Sequence, residues 1–153
     1  MRKVIALLLC LVLVTPAFAG LGSNKTAYVG GTVSTIKPGT EGVGSTDNDK
    51  VYVFSYSGQK LEIPYDRVDG LEYGQKAGRR LGLALTISPW LLLSKKRKHF
   101  LTISWKDAQD KQQAAVLEVG KDVIRVQLAT LEARTGQKVE YQDDEARKSG
   151  KGN

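Results

Sequence analysis

The chain has 153 residues, 23 of them Lys or Arg against 16 Asp or Glu, with one histidine and one cysteine. That length supplies material for one hydrophobic core and too little for two. A lone Cys10 and a lone His99 exclude a disulfide framework, a Cys-type zinc site and a multi-histidine metal centre, while a formal charge of +7 points toward anionic partners.

Residues 1–19 have the order of a cleavable secretory signal. Arg2 and Lys3 precede an unbroken apolar run from Val4 to Val14, and Thr15-Pro16 then leads to Ala17-Phe18-Ala19 before Gly20. The run is too short to cross a bilayer, which takes roughly 20 apolar residues. Cys10 lies inside the run behind Leu9, where a lipoprotein signal would need a small residue. Cleavage before Gly20 would leave 21 Lys and Arg against 16 acids, a formal charge of +5, and no cysteine.

After a short polar lead at 20–26, the β-favouring residues Tyr28, Val29, Thr32, Val33, Thr35 and Ile36 predict a first strand over 27–36. Residues 37–50 read as loop, with Pro38, Gly39, Gly42, Gly44 and Asp47-Asn48-Asp49. Two apolar segments at 51–56 and 60–65 flank Ser57-Gly58-Gln59 and predict a hairpin. Pro64 has no N–H for a ladder, which places its strand at an edge or at its end. A further strand is expected over 68–73. Beyond the uncharged segment 81–93, strands are predicted at 99–105 and 113–119, joined by a polar turn at 107–111.

The period then changes. Val123, Ile124, Gln127, Leu128, Leu131 and Thr135 recur at steps of three and four, which predicts a helix over 122–135. Asp122 suits its first turn, Arg134 its last, and Gly136 supplies a left-handed stop. A short strand is expected at 139–141. Residues 142–153 carry almost nothing apolar and are expected to be disordered.

The order Gly31-Thr32-Val33, Val51-Tyr52-Val53-Phe54, Leu61-Glu62-Ile63-Pro64-Tyr65-Asp66-Arg67-Val68, Phe100-Leu101-Thr102-Ile103 and a closing helix resembles the pleckstrin-homology-like superfold, in its bacterial and GRAM-like branches. The resemblance covers about residues 27–141 and implies a single mainly β domain. Its sheet would be bent and antiparallel, or a partly open barrel, capped by the C-terminal helix. Domains similar to this one bind phosphoinositides, peptides or other proteins. The headgroup pocket of eukaryotic members uses basic residues in the first loop; here that loop has Glu41, Asp47 and Asp49 beside Lys37 and Lys50, a departure from the pattern.

No catalytic constellation stands out. His99 follows four basic residues, where an exposed neutral imidazole is the expected state. No serine sits in a Gly-x-Ser-x-Gly elbow, and Asp47-Asn48-Asp49 lacks the glycine and late glutamate of a calcium loop. Gly39, Gly42 and Gly44 do not match a dinucleotide fingerprint and read as a flexible loop. The pairs Glu62 with Asp66 and Asp69 with Glu72 fit the wet side of a sheet. No cofactor is implied, and a non-catalytic role is expected.

The unusual stretch is 81–93, uncharged and bracketed by Arg79 and Arg80 on one side and Lys95, Lys96, Arg97 and Lys98 on the other. Two readings are open. Alternation of Leu81, Leu83, Leu85 and Ile87 with small residues suits a core strand. The cationic brackets, with Leu83, Ile87, Trp90, Leu91 and Leu92 between them, suit an interfacial contact with an anionic membrane or cell-envelope surface. A protein-interaction or structural envelope module, with this segment in its core or docking a partner, is the alternative. Nucleic acid, for which basic residues beside Trp90 and Phe100 have the ingredients, is disfavoured by export.

Overall fold

The computed structural model describes residues 25–75, 86–87 and 98–152. Strands β1 (Lys25–Gly31), β2 (Thr40–Ser45), β3 (Val51–Tyr56), β4 (Gln59–Pro64), β5 (Val68–Gly74), β6 (Thr86–Ile87), β7 (His99–Lys106), β8 (Gln112–Val119) and β9 (Val139–Tyr141) are accompanied by helices α1 (Lys121–Thr135) and α2 (Asp144–Lys151). Eight strands follow one another in the order β4-β3-β2-β1-β8-β7-β5-β9, an open sheet; β6 pairs with β1 off this path. The fold is mainly β with a C-terminal helix, as the sequence pattern predicts.

Period-two alternation builds the core. Tyr52 and Phe54 of β3, Ile63 of β4, Leu71 and Tyr73 of β5, Leu101, Ile103 and Trp105 of β7 and Leu117 of β8 converge on one interior with Ile124, Leu128 and Leu131 of α1. Each large side chain so buried contributes on the order of 1.5–3 kcal/mol. The opposite face of the β1-β8-β7 region is apolar too, because Val29, Phe100, Ala114 and Val116 are buried outside that cluster. Strands apolar on both sides belong to a sheet covered on both faces.

The hairpin and α1 match the sequence reading closely. Tyr56 faces Gln59 across the two-residue turn Ser57-Gly58, and α1 ends on Gly136, whose φ of 72° is the left-handed stop and whose N–H returns to the Glu132 carbonyl. Elsewhere the structure departs from it. The first strand stops at Gly31, and the residues beyond it turn so that Ile36 tucks into the core; β-favouring composition had extended the strand past its hydrogen bonds. The expected loop 37–50 contains β2, whose glycines serve close approach rather than flexibility. A Cβ at Gly44 would overlap the Tyr52 hydroxyl and crowd Thr26, while a Cβ at Gly42 would overlap the Ser55 carbonyl and the Phe54 ring. The sheet is not wholly antiparallel, since β9 runs parallel to β5.

The tail expected to be disordered carries α2. Asp143 caps it by accepting from the Ala146 N–H at 2.7 Å, and Ala146 and Gly150 are buried. A Cβ at Gly150 would press on Tyr141 and Tyr73. The helix thus docks through its small residues, which a search for large apolar residues overlooks.

Helix α1 is tied across the open side of the sheet by polar contacts as well as by its apolar stripe. Gln127, buried in the stripe, donates from Nε2 to the Gly44 carbonyl at 3.0 Å. Arg134 grips the β2–β3 loop: its guanidinium donates to the carbonyls of Thr46 and Asn48, pairs with Asp49 at 2.9 Å and lies over the Tyr65 ring at 5.5 Å. Its position in the last turn also suits the helix dipole, but the loop carbonyls give it the larger task. Arg134→Ala is expected to destabilise the fold by about 1.5–3 kcal/mol, the scale of hydrogen bonds to a charged group, and Arg134→Lys to recover only part, since an ammonium lacks the planar fork. Urea unfolding of both variants checks this.

Candidate functional site

Of the residues singled out in the sequence, Arg79, Arg80, Leu83, Trp90, Leu91, Leu92, Lys95, Lys96 and Arg97 lie outside the described residues, as does the question of whether 81–93 faces inward. Ile87 is described through its backbone alone, paired with Gly30 of β1. Lys98 is held by Glu118 of β8 in an ion pair of 2.8 Å, with both side chains about three-quarters buried.

The framework around the segment is well placed. Gly74, the last residue of β5, pairs with Phe100 of β7, so the chain leaves and rejoins the sheet on neighbouring strands at one end. His99 pairs with Val119, and Val119 with Thr26, so that end also holds the close of β8 and the start of α1. Midway through, Thr86–Ile87 pairs with Gly30 and Gly31, on the β1 edge that β2 has left. β1 lies three strands from β5 in the sheet order, so the segment is fastened at points well apart.

Where the segment rejoins the sheet, a cleft of about 280 Å3 is lined by His99, Lys121, Asp122, Ile124, Arg125 and Ser149. Lys121 and Arg125 stand four residues apart on α1, hence on one helical face. Both cations point their field at His99. In sequence, Lys95, Lys96 and Arg97 come just before Lys98 and His99. Spacing on α1 was the available signal for Lys121 and Arg125. What hid them was that only folding brings α1 next to the start of β7.

His99 is not the exposed imidazole expected from its neighbours in sequence. It is half-buried, its ring stacks on Tyr73 at 6.0 Å, and its Nδ1 lies 2.5 Å from the Tyr73 hydroxyl. Ser149 of α2 stands 3.2 Å from the same hydroxyl, and Arg125 donates to the Ser149 carbonyl at 3.0 Å. Burial lowers the imidazole pKa below its ordinary value, and the charges of Lys121 and Arg125 lower it further. The neutral ring can accept from Tyr73 at Nδ1; a proton there would reverse that bond and add a third cation to the cleft. The hydrogen-bonded group fastens α2 and β7 together through Tyr73 of β5, and it is the added charge beside Lys121 and Arg125 that a proton on His99 would make unfavourable.

The other carboxylates that could suggest acid–base work are accounted for structurally. Glu72, expected on the wet side, is buried and accepts from Gln142 at 3.0 Å. Asp69 accepts from Gln112 at 3.0 Å, and Glu62 and Asp66 are exposed. Asn48 closes its own turn by accepting from the N–H groups of Lys50 and Val51. Among the described residues no three His, Cys, Asp or Glu side chains converge to hold a metal ion. No protein-family model matches the chain, and no curated protein matches it.

The depressed imidazole sets the sign of a pH effect. Above the ordinary histidine value, folded and unfolded states are both neutral and the His99 contacts count in full. As pH falls through that value the unfolded chain takes up the proton first, and stability is lost until pH reaches the lower folded value. Denaturant unfolding from pH 7 to pH 5 is expected to show the wild type losing more stability than His99→Gln. The difference between the two isolates this histidine from the carboxylates.

Proposed function

We propose that the chain is an exported, non-catalytic binding or scaffold module of pleckstrin-homology-like architecture that sits against an anionic surface. The observation that carries this reading is the pair of cations that α1 sets beside His99, at the start of β7. Lys121 and Arg125 flank the cleft at His99, and the basic run 95–98 immediately precedes His99 in sequence. Arg79 and Arg80 stand in sequence just beyond the neighbouring root at Gly74. Headgroups of acidic lipids and acidic envelope polymers share the chemistry such a face attracts. The signal-like order of residues 1–19 supplies the compartment.

The apolar stretch 81–93 has a second task open to it. Val29, Phe100, Ala114 and Val116 form a buried apolar outer face, and Thr86–Ile87 is fastened to β1 beside it. In this reading 81–93 serves the core, and contact with the surface is left to charge. Attraction then comes from charge, screened over a Debye length of about 8–10 Å, rather than from insertion of Trp90.

The test uses protein purified after expression of the full-length chain, sedimented with phosphatidylglycerol vesicles, with phosphatidylcholine vesicles, or titrated with a soluble polyanion such as dextran sulfate. Binding to the acidic vesicles and release by salt are expected. A matching affinity for the polymer identifies charge alone as the ligand chemistry, and preference for vesicles identifies lipid. Reversing Lys121 and Arg125 to Glu should weaken binding about tenfold or more, given ~1 kcal/mol per surface cation. Absence of binding to either anion, or equal binding by the reversed variant, overturns the reading, and salt-resistant vesicle binding would restore apolar insertion as the mode.

A further inference from the structure

β4 ends the sheet, and among the described residues its outer edge has no neighbouring strand. The hairpin register says which main-chain groups that edge presents. Tyr56 faces Gln59 across the turn, Phe54 faces Leu61 and Tyr52 faces Ile63. In a two-residue hairpin these are the pairs that exchange both N–H···O bonds. The series continues in the Tyr65 N–H donating to the Lys50 carbonyl at 2.9 Å. Lys60 and Glu62 therefore turn their N–H and C=O groups outward, and Pro64 adds a carbonyl without a donor. Both charged side chains are exposed.

We propose that this edge pairs with β4 of a second copy of the chain, antiparallel, about a twofold axis at Leu61. In that register Lys60 of each copy stands opposite Glu62 of the other. Both pairs are hydrogen-bonded and both bring opposite charges face to face. Leu61, half-buried against the core in one copy, meets Leu61 of the second copy and is covered.

Shifting the register by one residue on each copy is the nearest competitor that keeps outward groups opposed, and it fails in either direction. One shift sets Lys60 against Lys60. The other sets Glu62 against Glu62 and Lys60 against Pro64, which has no N–H to give. Charges on an edge strand normally deter pairing. Here the alternation Lys-Leu-Glu deters other strands while matching its own inverted copy, the isologous arrangement a twofold dimer requires. A single strand pair covers less area than a standard stable interface, so the association is weak and concentration-dependent, suited to chains concentrated on one surface.

Sedimentation velocity over a concentration series tests this with charge exchanges. Wild type should self-associate. Lys60→Glu alone and Glu62→Lys alone each place like charges at both pairs and should weaken association about tenfold or more. The double exchange K60E/E62K should regain it, since the pattern is again self-complementary. An equimolar mixture of the two single variants should form the heterodimer, which also shows that both remain folded. A wild type that stays monomeric to about 1 mM, where even weak binding at that Kd would register, overturns the proposal. So would single variants that associate as well as wild type, or a mixture that does not.

Discussion

An open sheet has to be closed, and in this protein one helix does it. The strands from β4 to β9 leave the interior accessible on one side, and α1 lays Ile124, Leu128 and Leu131 into it. The apolar stripe supplies the driving force, while the polar contacts determine where the helix sits. Gln127 on the Gly44 carbonyl and Arg134 on the carbonyls of Thr46 and Asn48 fix α1 against β2 and its following loop. Gly44 can be gripped this way because no side chain separates its backbone from Tyr52 and Thr26. The arrangement is not free of cost: the Tyr52 hydroxyl and the Gln127 Oε1 are buried without a partner among the described residues, and burial holds the Tyr52 pKa well above the ordinary phenol range.

Placement of α1 also makes the cationic end. Its first turn brings Lys121 and Arg125 to the start of β7, and Arg125 reaches on to the Ser149 carbonyl of α2. Loss of the closing helix would therefore disperse the cluster as well as open the core. Structure and candidate function share one element, and the charge at that end depends on a hydrophobic stripe that adjoins it on the same helix, with Ile124 lining the cleft beside Lys121 and Arg125.

Much of the fold could be read from residue periodicity. The hairpin around Ser57-Gly58 and the helix ending at Gly136 obey local rules, since alternation, step of three and four, and a left-handed stop are each set by neighbours in the chain. The misread parts depend on remote contacts. Glycines at 42 and 44 look like loop until Phe54 and Tyr52 are seen pressing on them. Ala146 and Gly150 look like tail until Tyr73 and Tyr141 are behind them. The parallel pairing of β9 with β5 leaves no mark on a three-residue strand. For the site, the cationic run before His99 was visible in sequence. The approach of α1 to His99, the holding of Lys98 by Glu118 and the bond from Tyr73 to His99 required the fold.

The claim that α1 closes the sheet as part of a single cooperative structure is tested most directly by native-state hydrogen exchange. Amides around Leu128 and Leu131 are expected to open with the same free energy as those around Leu101, Ile103 and Leu117 in β7 and β8, because neither group stays buried without the other. Opening of the α1 amides at a free energy well below that of the strands would show a sheet that stands without its helix, and would contradict it.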